Sequence, residues 1–222
     1  MRFPIGIQNF RTLREDGYLY IDKTELIYKL VDTGCYYLLS RPRRFGKSLL
    51  VSTLEAYFQG KKEQFKGLAM ERLEKDWTAR PVFHLDLNVG KYESTQSLLD
   101  TLNEALTVWE QEYGAVEAER NVGLRFKGVV QRAYEKTGQR VAILVDEYDK
   151  PLLQNIGNNE LQEELRGILR LFYSVLKTQD RYIKFGLLTG VSKFSKLSVF
   201  SDLNNLEDIS LNRNWASLCG IT

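Results

Sequence analysis

Residues 35–58 read CYYLLSRPRRFGKSLLVSTLEAYF, and this stretch decides how the rest of the chain is interpreted. Its first part, Tyr36 to Leu39, is a short apolar and aromatic run typical of a buried strand. From Lys47 to Phe58 the apolar residues recur at helical spacing, and Gly60 stands where a helix would end. The stretch therefore predicts a strand, a turn and a helix in direct succession.

The turn reads SRPRRFGKS and is typical of a phosphate-binding loop. Backbone N–H groups at the helix N-terminus would face the β- and γ-phosphates, while Lys47 supplies a charge and the Ser48 hydroxyl reaches Mg²⁺. The general pattern has glycine where Arg41 stands, and a chance Gly-Lys-Ser triplet is the alternative that the flanking strand and helix disfavour. The residues expected to contact the nucleotide are Pro42, Arg43, Arg44, Phe45, Gly46, Lys47, Ser48 and Leu49.

A second part of the same kind of site follows the apolar run at 141–145, which continues directly into Asp146 and Glu147. An aspartate at the end of a buried strand holds Mg²⁺ in such sites, together with Ser48. The glutamate beside it orients and deprotonates the attacking water. Acidic residues that end a strand are more often merely solvated. Together with the phosphate loop, at the edge where α/β sheets bind ligands, they predict an ATPase site.

The last clear strand pattern, Tyr182 to Leu188, ends in the polar segment that begins at Thr189. We expect Thr189 or Ser192 to contact the γ-phosphate and to report its loss. Lys193 and Lys196 follow and are most simply exposed lysines. His84 lies within another strand pattern, at 81–88, and is interpreted as a strand-face histidine because the sequence shows no catalytic partner for it.

Helix and strand patterns alternate along the remaining chain. The segment from Phe3 to Phe10 shows no clear pattern and is expected to pack against the nucleotide end of the domain. Helices are predicted from a cap at Asp22 or Thr24 to Gly34, over 94–113, over 124–137 and over 160–176, with a brief strand at 18–21 and turns with a short helix at 201–214. This alternation predicts an α/β fold with a mainly parallel sheet sandwiched by helices.

Composition excludes several classes of protein. The 222 residues carry a net charge of only +2, which does not indicate a dedicated nucleic-acid surface. The single histidine rules out a His-rich metal site, and Cys35 and Cys219 suggest reduced thiols of a cytoplasmic protein. No apolar run approaches the ~18 residues of a membrane span, and the N-terminus lacks the core of a signal peptide.

The chain resembles the bacterial and archaeal AAA-ATPase-like family, whose members commonly carry a C-terminal nuclease-like domain of the PD-(D/E)XK type. The resemblance is carried by FPIGI at 3–7, YIDKT at 20–24, SRPRRFGKS at 40–48, LVDEYDKP at 144–151, LTGVS at 188–192 and NNLEDI at 204–209. It implies a phosphate-loop NTPase core with strand order 5-1-4-3-2. It also implies ATP and Mg²⁺ as ligands, with Lys47 and Ser48 on the phosphates and metal, and Asp146 and Glu147 as the metal-binding and hydrolytic pair. Arg41 in place of glycine is normal in this family.

The same resemblance predicts how the domain is organised. Residues 1–34 would form an N-terminal segment with a capping helix, and residues 35–222 an AAA-like core that is incomplete at its C-terminus. Because family chains run on further, we expect the fifth strand to be missing here. The strand at Tyr36–Leu39 would then be a bare edge, which favours self-association into a homo-oligomer.

Two functions remain open from the sequence. The first is an Mg²⁺-dependent ATPase whose hydrolysis drives or times a partner domain that acts on nucleic acid. The second is a nucleotide-gated switch that hydrolyses ATP slowly or not at all. Glu147 favours the enzyme, since a switch needs no general base, whereas Arg41 in the loop favours the switch. The residues do not distinguish adenine from guanine.

Overall fold

A computed structural model describes residues 2–192 and 205–220, which form a five-stranded parallel sheet flanked by helices. The strands are β1 (Tyr36–Ser40), β2 (Val82–Asp86), β3 (Val141–Asp146), β4 (Ile183–Gly190) and β5 (Glu207–Asp208). Their order in the sheet is β2-β3-β4-β1-β5, which confirms the α/β class and the predicted order 5-1-4-3-2. The predictions for Lys193, Lys196 and residues 201–204 lie outside the described ranges.

Most predicted helices are present with small changes at their ends. The helices are α1 (Phe10–Glu15), α2 (Thr24–Thr33), α3 (Lys47–Phe58), α4 (Ala69–Leu73), α5 (Thr95–Tyr113), α6 (Val122–Thr137), α7 (Lys150–Leu153), α8 (Asn159–Tyr173) and α9 (Val175–Thr178). Short 3-10 turns lie at Lys62–Phe65, Leu87–Val89, Asp180–Tyr182 and Arg213–Trp215. The predicted strand at 18–21 is wrong, since Tyr18 forms only an isolated bridge with Arg2.

The central strand β3 explains why residues 141–145 are continuously apolar. Successive strand side chains point to opposite faces of a sheet. Ile143 and Val145 pack into the core beneath α5, α6 and α8, whereas Ala142 and Leu144 pack into the core beneath α2 and α3. All four are buried because helices cover both faces, so an alternating polar pattern is absent. This packing fixes the carboxyl end of β3, where the acidic residues follow.

The expected absence of a fifth strand is wrong. The two-residue strand β5 pairs with β1 in parallel, with Glu207 opposite Tyr37 and Asp208 opposite Leu38. The edge is extended by Ser210, whose Oγ accepts a hydrogen bond of 2.8 Å from the backbone N–H of Ser40. So short a strand in a polar run carries no hydrophobic period by which a sequence would predict it. The β1 edge through which self-association was expected is therefore paired with β5.

Candidate functional site

The phosphate loop connects β1 to α3 and contains two left-handed residues. Arg44 has a φ of 66° and Gly46 a φ of 82°, and Gly46 caps the N-terminus of α3. Within the described part of the chain, no side chain caps this helix end. The first amides of α3 therefore have no side-chain acceptor there, and uncapped amides of this kind are what an anion-binding turn offers. A non-glycine residue in the left-handed region carries strain of about 1 kcal/mol, which packing elsewhere must offset.

The back of the loop is held by the segment that follows β5. A guanidinium nitrogen of Arg41 donates to the carbonyl oxygen of Ser210. Lys23, from the N-terminal segment, donates to the carbonyl oxygens of Ser217 and Gly220, at 2.6 Å and 2.5 Å. Phe45 lies against Gly220, where an added Cβ would be 3.3 Å from its ring. Phe45 thus faces the C-terminal segment.

Lys47 is buried, with only 4% of its surface exposed, and it is fully engaged. Its Nζ lies 3.2 Å from the carbonyl oxygen of Arg41 and 3.4 Å from that of Pro42. It also forms an ion pair of 3.2 Å with Oε1 of Glu147. The structure therefore brings together the lysine of the phosphate loop and the glutamate that follows β3. In this arrangement the positive charge of Lys47 neutralises the carboxylate expected to act as the general base.

Glu147 is held in an unusual backbone conformation, with a φ of 55°. Burial raises the pKa of its carboxyl, and Asp146 and Asp149 raise it further, while Lys47 lowers it; the net shift is upward. A raised pKa makes a carboxylate a better proton acceptor, which suits general-base chemistry near neutral pH.

Asp146 ends β3 with 4% of its surface exposed and is tied to the neighbouring strand. Its Oδ1 accepts hydrogen bonds from the hydroxyl of Thr189 and from the backbone N–H of Glu147, the latter at 3.1 Å. Thr189 is itself fully buried. The structure thus places Thr189 on Asp146, where it orients the carboxylate.

The oxygen ligands expected for Mg²⁺ are a hydroxyl and a carboxylate, from Ser48 and Asp146. No group of three or more His, Cys, Asp or Glu side chains capable of holding a metal occurs among the described residues. Mg²⁺ in nucleotide sites is usually bound by one or two protein ligands, with phosphate oxygens and water completing its shell. Two hard oxygen donors fit that role better than a cage supplied wholly by protein.

Ser192 is joined to two other strand ends through its backbone. Its N–H donates to Oδ2 of Asp149 at 2.6 Å, and its carbonyl oxygen accepts from the Tyr148 hydroxyl at 2.8 Å. The Ser40 hydroxyl, at the end of β1, also reaches that carbonyl at 3.4 Å. Ser192 is therefore fixed at the carboxyl edge of the sheet.

A cleft of about 1010 Å³ opens over this edge. From the predicted site it is lined by Arg43, Arg44, Gly46, Lys47, Ser48, Leu49 and Glu147. The remaining predicted site residues, Pro42, Phe45, Asp146, Thr189 and Ser192, are not part of this lining. Arginine and lysine side chains gathered around a single glutamate suit a polyanionic ligand such as a triphosphate.

The comparison with known families agrees with this geometry. A family model described as "Predicted AAA-ATPase" matches residues 4–200. The chain belongs to the AAA-ATPase-like family. Membership of this family indicates ATP binding.

The AAA-ATPase-like chain is also similar to one curated protein. It is 44% identical over 223 residues to a protein of Azotobacter chroococcum mcd 1 described as "Uncharacterized protein in vnfD 5'region". The match covers 100% of this chain and 43% of the relative, so the chain spans less than half of that protein's length.

Several residues that line the cleft of the AAA-ATPase-like chain are not among the site residues predicted from the sequence. They are Pro4, Ile5, Gly6, Ile7, Gln8, Asn88, Lys150, Leu153, Gln154 and Val191. Lys150 is held by Asn88, whose side-chain oxygen accepts from its Nζ at 3.0 Å. Lys150 lies only a few residues after Asp146 and Glu147 in the sequence, and this closeness is the one feature that could have predicted it as a cleft residue. Residues 4–8 belong to the segment from Phe3 to Phe10, which was expected to pack against the nucleotide end of the domain, and they line the cleft there.

None of the helices within residues 2–192 and 205–220 is long and apolar enough to cross a membrane.

Proposed function

We propose that this chain is an Mg²⁺-dependent ATPase that binds ATP in the cleft and hydrolyses its γ-phosphate. The observation that carries the proposal is the contact of 3.2 Å between Lys47, from the phosphate loop, and Glu147, which follows β3. Two segments that are distant in sequence, each with the residue types expected of a phosphate-loop ATPase site, thus supply side chains to one cleft.

In the proposed reaction, the loop amides before α3 and the ammonium of Lys47 bind the β- and γ-phosphates. To do so, Lys47 leaves Glu147 for a ligand of higher negative charge. The released carboxylate of Glu147 then orients a water molecule and accepts its proton as the water attacks the γ-phosphorus. Arg43 and Arg44, exposed at the mouth of the cleft, stabilise charge on the phosphate oxygens.

Ser48 and Asp146 would hold the metal, and Thr189 would keep the Asp146 carboxylate oriented. Mg²⁺ bound there would neutralise charge on the β- and γ-phosphate oxygens. The fit rests on two hard oxygen donors at the carboxyl edge of the sheet.

We infer that the nucleotide base lies against residues 4–8. This segment supplies Pro4, Ile5 and Ile7 to the cleft, and Ile5 is 92% exposed as the chain stands. Covering so exposed an apolar side chain with a planar ring removes apolar surface from water, which favours binding of the base there. Leu49 and Leu153 line the same cleft and extend the apolar surface.

The alternative function, a nucleotide-gated switch with little hydrolysis, is favoured by one observation. The ion pair with Lys47 occupies Glu147, so a nucleotide that fails to displace the lysine would bind without being hydrolysed. For either function, the resemblance implies a nuclease-like domain as the partner that nucleotide binding or hydrolysis would drive.

Titration calorimetry with ATP, with and without Mg²⁺, tests the binding. We expect the wild-type chain to bind ATP and Lys47→Ala to lose binding by at least about 100-fold, since the ammonium contacts two phosphates. Lys29→Ala is the matched control, because Lys29 forms only an exposed ion pair with Glu25 on α2. Equal affinity of Lys47→Ala and wild type would contradict the proposed site.

A further inference from the structure

Asp149 is the buried acidic group near the cleft for which the proposed hydrolysis has no use. It is fully buried, although acidic side chains are rarely buried without partners. Its Oδ2 accepts two backbone hydrogen bonds, from Val191 at 3.0 Å and from Ser192 at 2.6 Å. Its Oδ1 has no hydrogen-bond partner within the part of the chain that the structure describes. One carboxylate oxygen therefore fixes two consecutive amides that follow β4.

The packing around these bonds leaves little freedom. A Cβ added at Gly190 would lie 2.5 Å from the Tyr148 ring and 2.7 Å from Oδ1 of Asp149. The backbone N–H of Tyr148 donates to the carbonyl oxygen of Thr189 at 2.9 Å. Tyr148 and Asp149 therefore hold the end of β4 in place through a backbone hydrogen bond, through the side-chain hydrogen bonds of Asp149 and through close packing against Gly190.

The segment that Asp149 holds, Val191 and Ser192, contributes to the cleft wall through Val191. Val191 lines the cleft together with Lys47, Ser48 and Glu147. Glu147 directly precedes Tyr148 and Asp149 in the chain, so the proposed general base is adjacent to the residues that hold this wall. In the proposed reaction Lys47 and Glu147 act at the γ-phosphate, which is the group that a triphosphate has and a diphosphate lacks.

We propose that Asp149 is a positioning residue that, through the amides of Val191 and Ser192, holds Val191 in the cleft wall beside the γ-phosphate position, so that the cleft distinguishes ATP from ADP. This inference rests on the proposed function and adds to it the group that sets the choice between nucleoside triphosphate and diphosphate. Asp149 acts through the backbone it holds and does not touch the nucleotide itself.

Calorimetric affinities for ADP and for a non-hydrolysable ATP analogue, both with Mg²⁺, test this role in two variants. Asp149→Ala removes both acceptor bonds, and we expect the preference for the triphosphate over ADP to fall about tenfold, with ADP affinity changed less than about twofold. Asp149→Asn keeps one oxygen that can accept both amides. It should retain most of the preference, because position rather than charge is what Asp149 supplies.

Tyr36→Phe is the matched control for a general loss of stability. It removes a bond of 2.8 Å from the Tyr36 hydroxyl to Asp180, at the opposite end of the sheet, and should leave the preference unchanged. Thermal unfolding without nucleotide shows whether each variant is folded. If Asp149→Ala does not fold, Tyr148→Phe replaces it: it removes only the hydroxyl that donates to Ser192 and should lower the preference in the same direction.

Three results would overturn the inference. The folded variants could lose affinity equally for ADP and for the ATP analogue, or Asp149→Ala could keep the wild-type preference for the triphosphate. The third result is that Asp149→Asn loses as much of this preference as Asp149→Ala. Binding of neither nucleotide by the wild-type chain would overturn the proposed function and, with it, this inference. A wild type that binds both leaves the proposed function standing whatever the variants do.

Discussion

Replacing Glu147 by glutamine should make the nucleotide-free protein less stable while making it bind ATP more tightly. Glu147 pairs with Lys47 at 3.2 Å, and their side chains are only 17% and 3% exposed. Glutamine keeps the size of the side chain but removes its charge. Lys47 then keeps only its two carbonyl partners in the loop, from Arg41 and Pro42.

The magnitude follows from how the pair is buried. Removing one partner of a fully buried ion pair costs about 3–5 kcal/mol, because the other charge is left uncompensated. Two carbonyl oxygens remain for the ammonium, and glutamine still offers an acceptor, so we expect a loss of about 1–2 kcal/mol in the free energy of unfolding. ATP binding no longer has to break the pair, so affinity should rise by the same free energy, about 5- to 30-fold.

Urea unfolding without nucleotide and calorimetry with ATP and Mg²⁺ measure the two effects on the same preparation. Glu25→Gln is the control, since Glu25 forms an exposed ion pair on α2 and should change neither quantity measurably. Unchanged stability together with unchanged or weaker ATP binding would refute the idea that Lys47 is exchanged between Glu147 and the phosphates.

Two other perturbations test separate parts of the structure. Asp146→Asn keeps an oxygen that can accept the hydrogen bond from Thr189, so ATP affinity without Mg²⁺ should be unchanged. The gain in ATP affinity on adding Mg²⁺ should be lost, because the carboxylate ligand is gone. Calorimetry that shows the full gain in this variant would exclude Asp146 as a ligand of Mg²⁺. Burial lowers the pKa of His84, but Glu55, whose Oε2 lies 3.1 Å from Nδ1, outweighs this with help from Asp86 and Asp146, and the net shift is upward. Its contribution to stability is therefore fully present below the unfolded pKa of about 6.5 and is lost as pH rises through the folded value. Urea unfolding between about pH 5.5 and 8.5 should show this decline in the free energy of unfolding, and Glu55→Gln should make the decline smaller. Equal pH profiles of the wild type and Glu55→Gln would show that the pair of His84 and Glu55 does not contribute to stability.

The fold and the chemical elements of the site were predictable where local pattern and tertiary structure agree. The apolar run at 141–145 predicts a buried central strand because both faces of β3 are covered by helices. The Gly46-Lys47-Ser48 turn predicts the start of α3 because the glycine is left-handed there and the helix begins at Lys47. In both cases the information lies within a few consecutive residues.

The remaining features depend on contacts between distant segments. No local pattern shows that Lys47 pairs with Glu147 in the nucleotide-free chain, or that Asp149 accepts the amides that follow β4. The two-residue strand β5 is equally hidden from the sequence. A strand of two residues is too short to show a hydrophobic period. Its partner strand is also distant in sequence, since the paired residues Tyr37 and Glu207 are 170 positions apart.

The central claim is that Glu147 serves as the base for ATP hydrolysis in the cleft. A single-turnover measurement of phosphate release, with enzyme in excess over ATP and Mg²⁺ present, tests it most directly. We predict that the wild-type chain releases phosphate and that Glu147→Gln retains bound ATP and releases phosphate at least about 100-fold more slowly. Equal rates of release in the two proteins would contradict the claim, as would ATP that remains bound and intact on the wild-type chain.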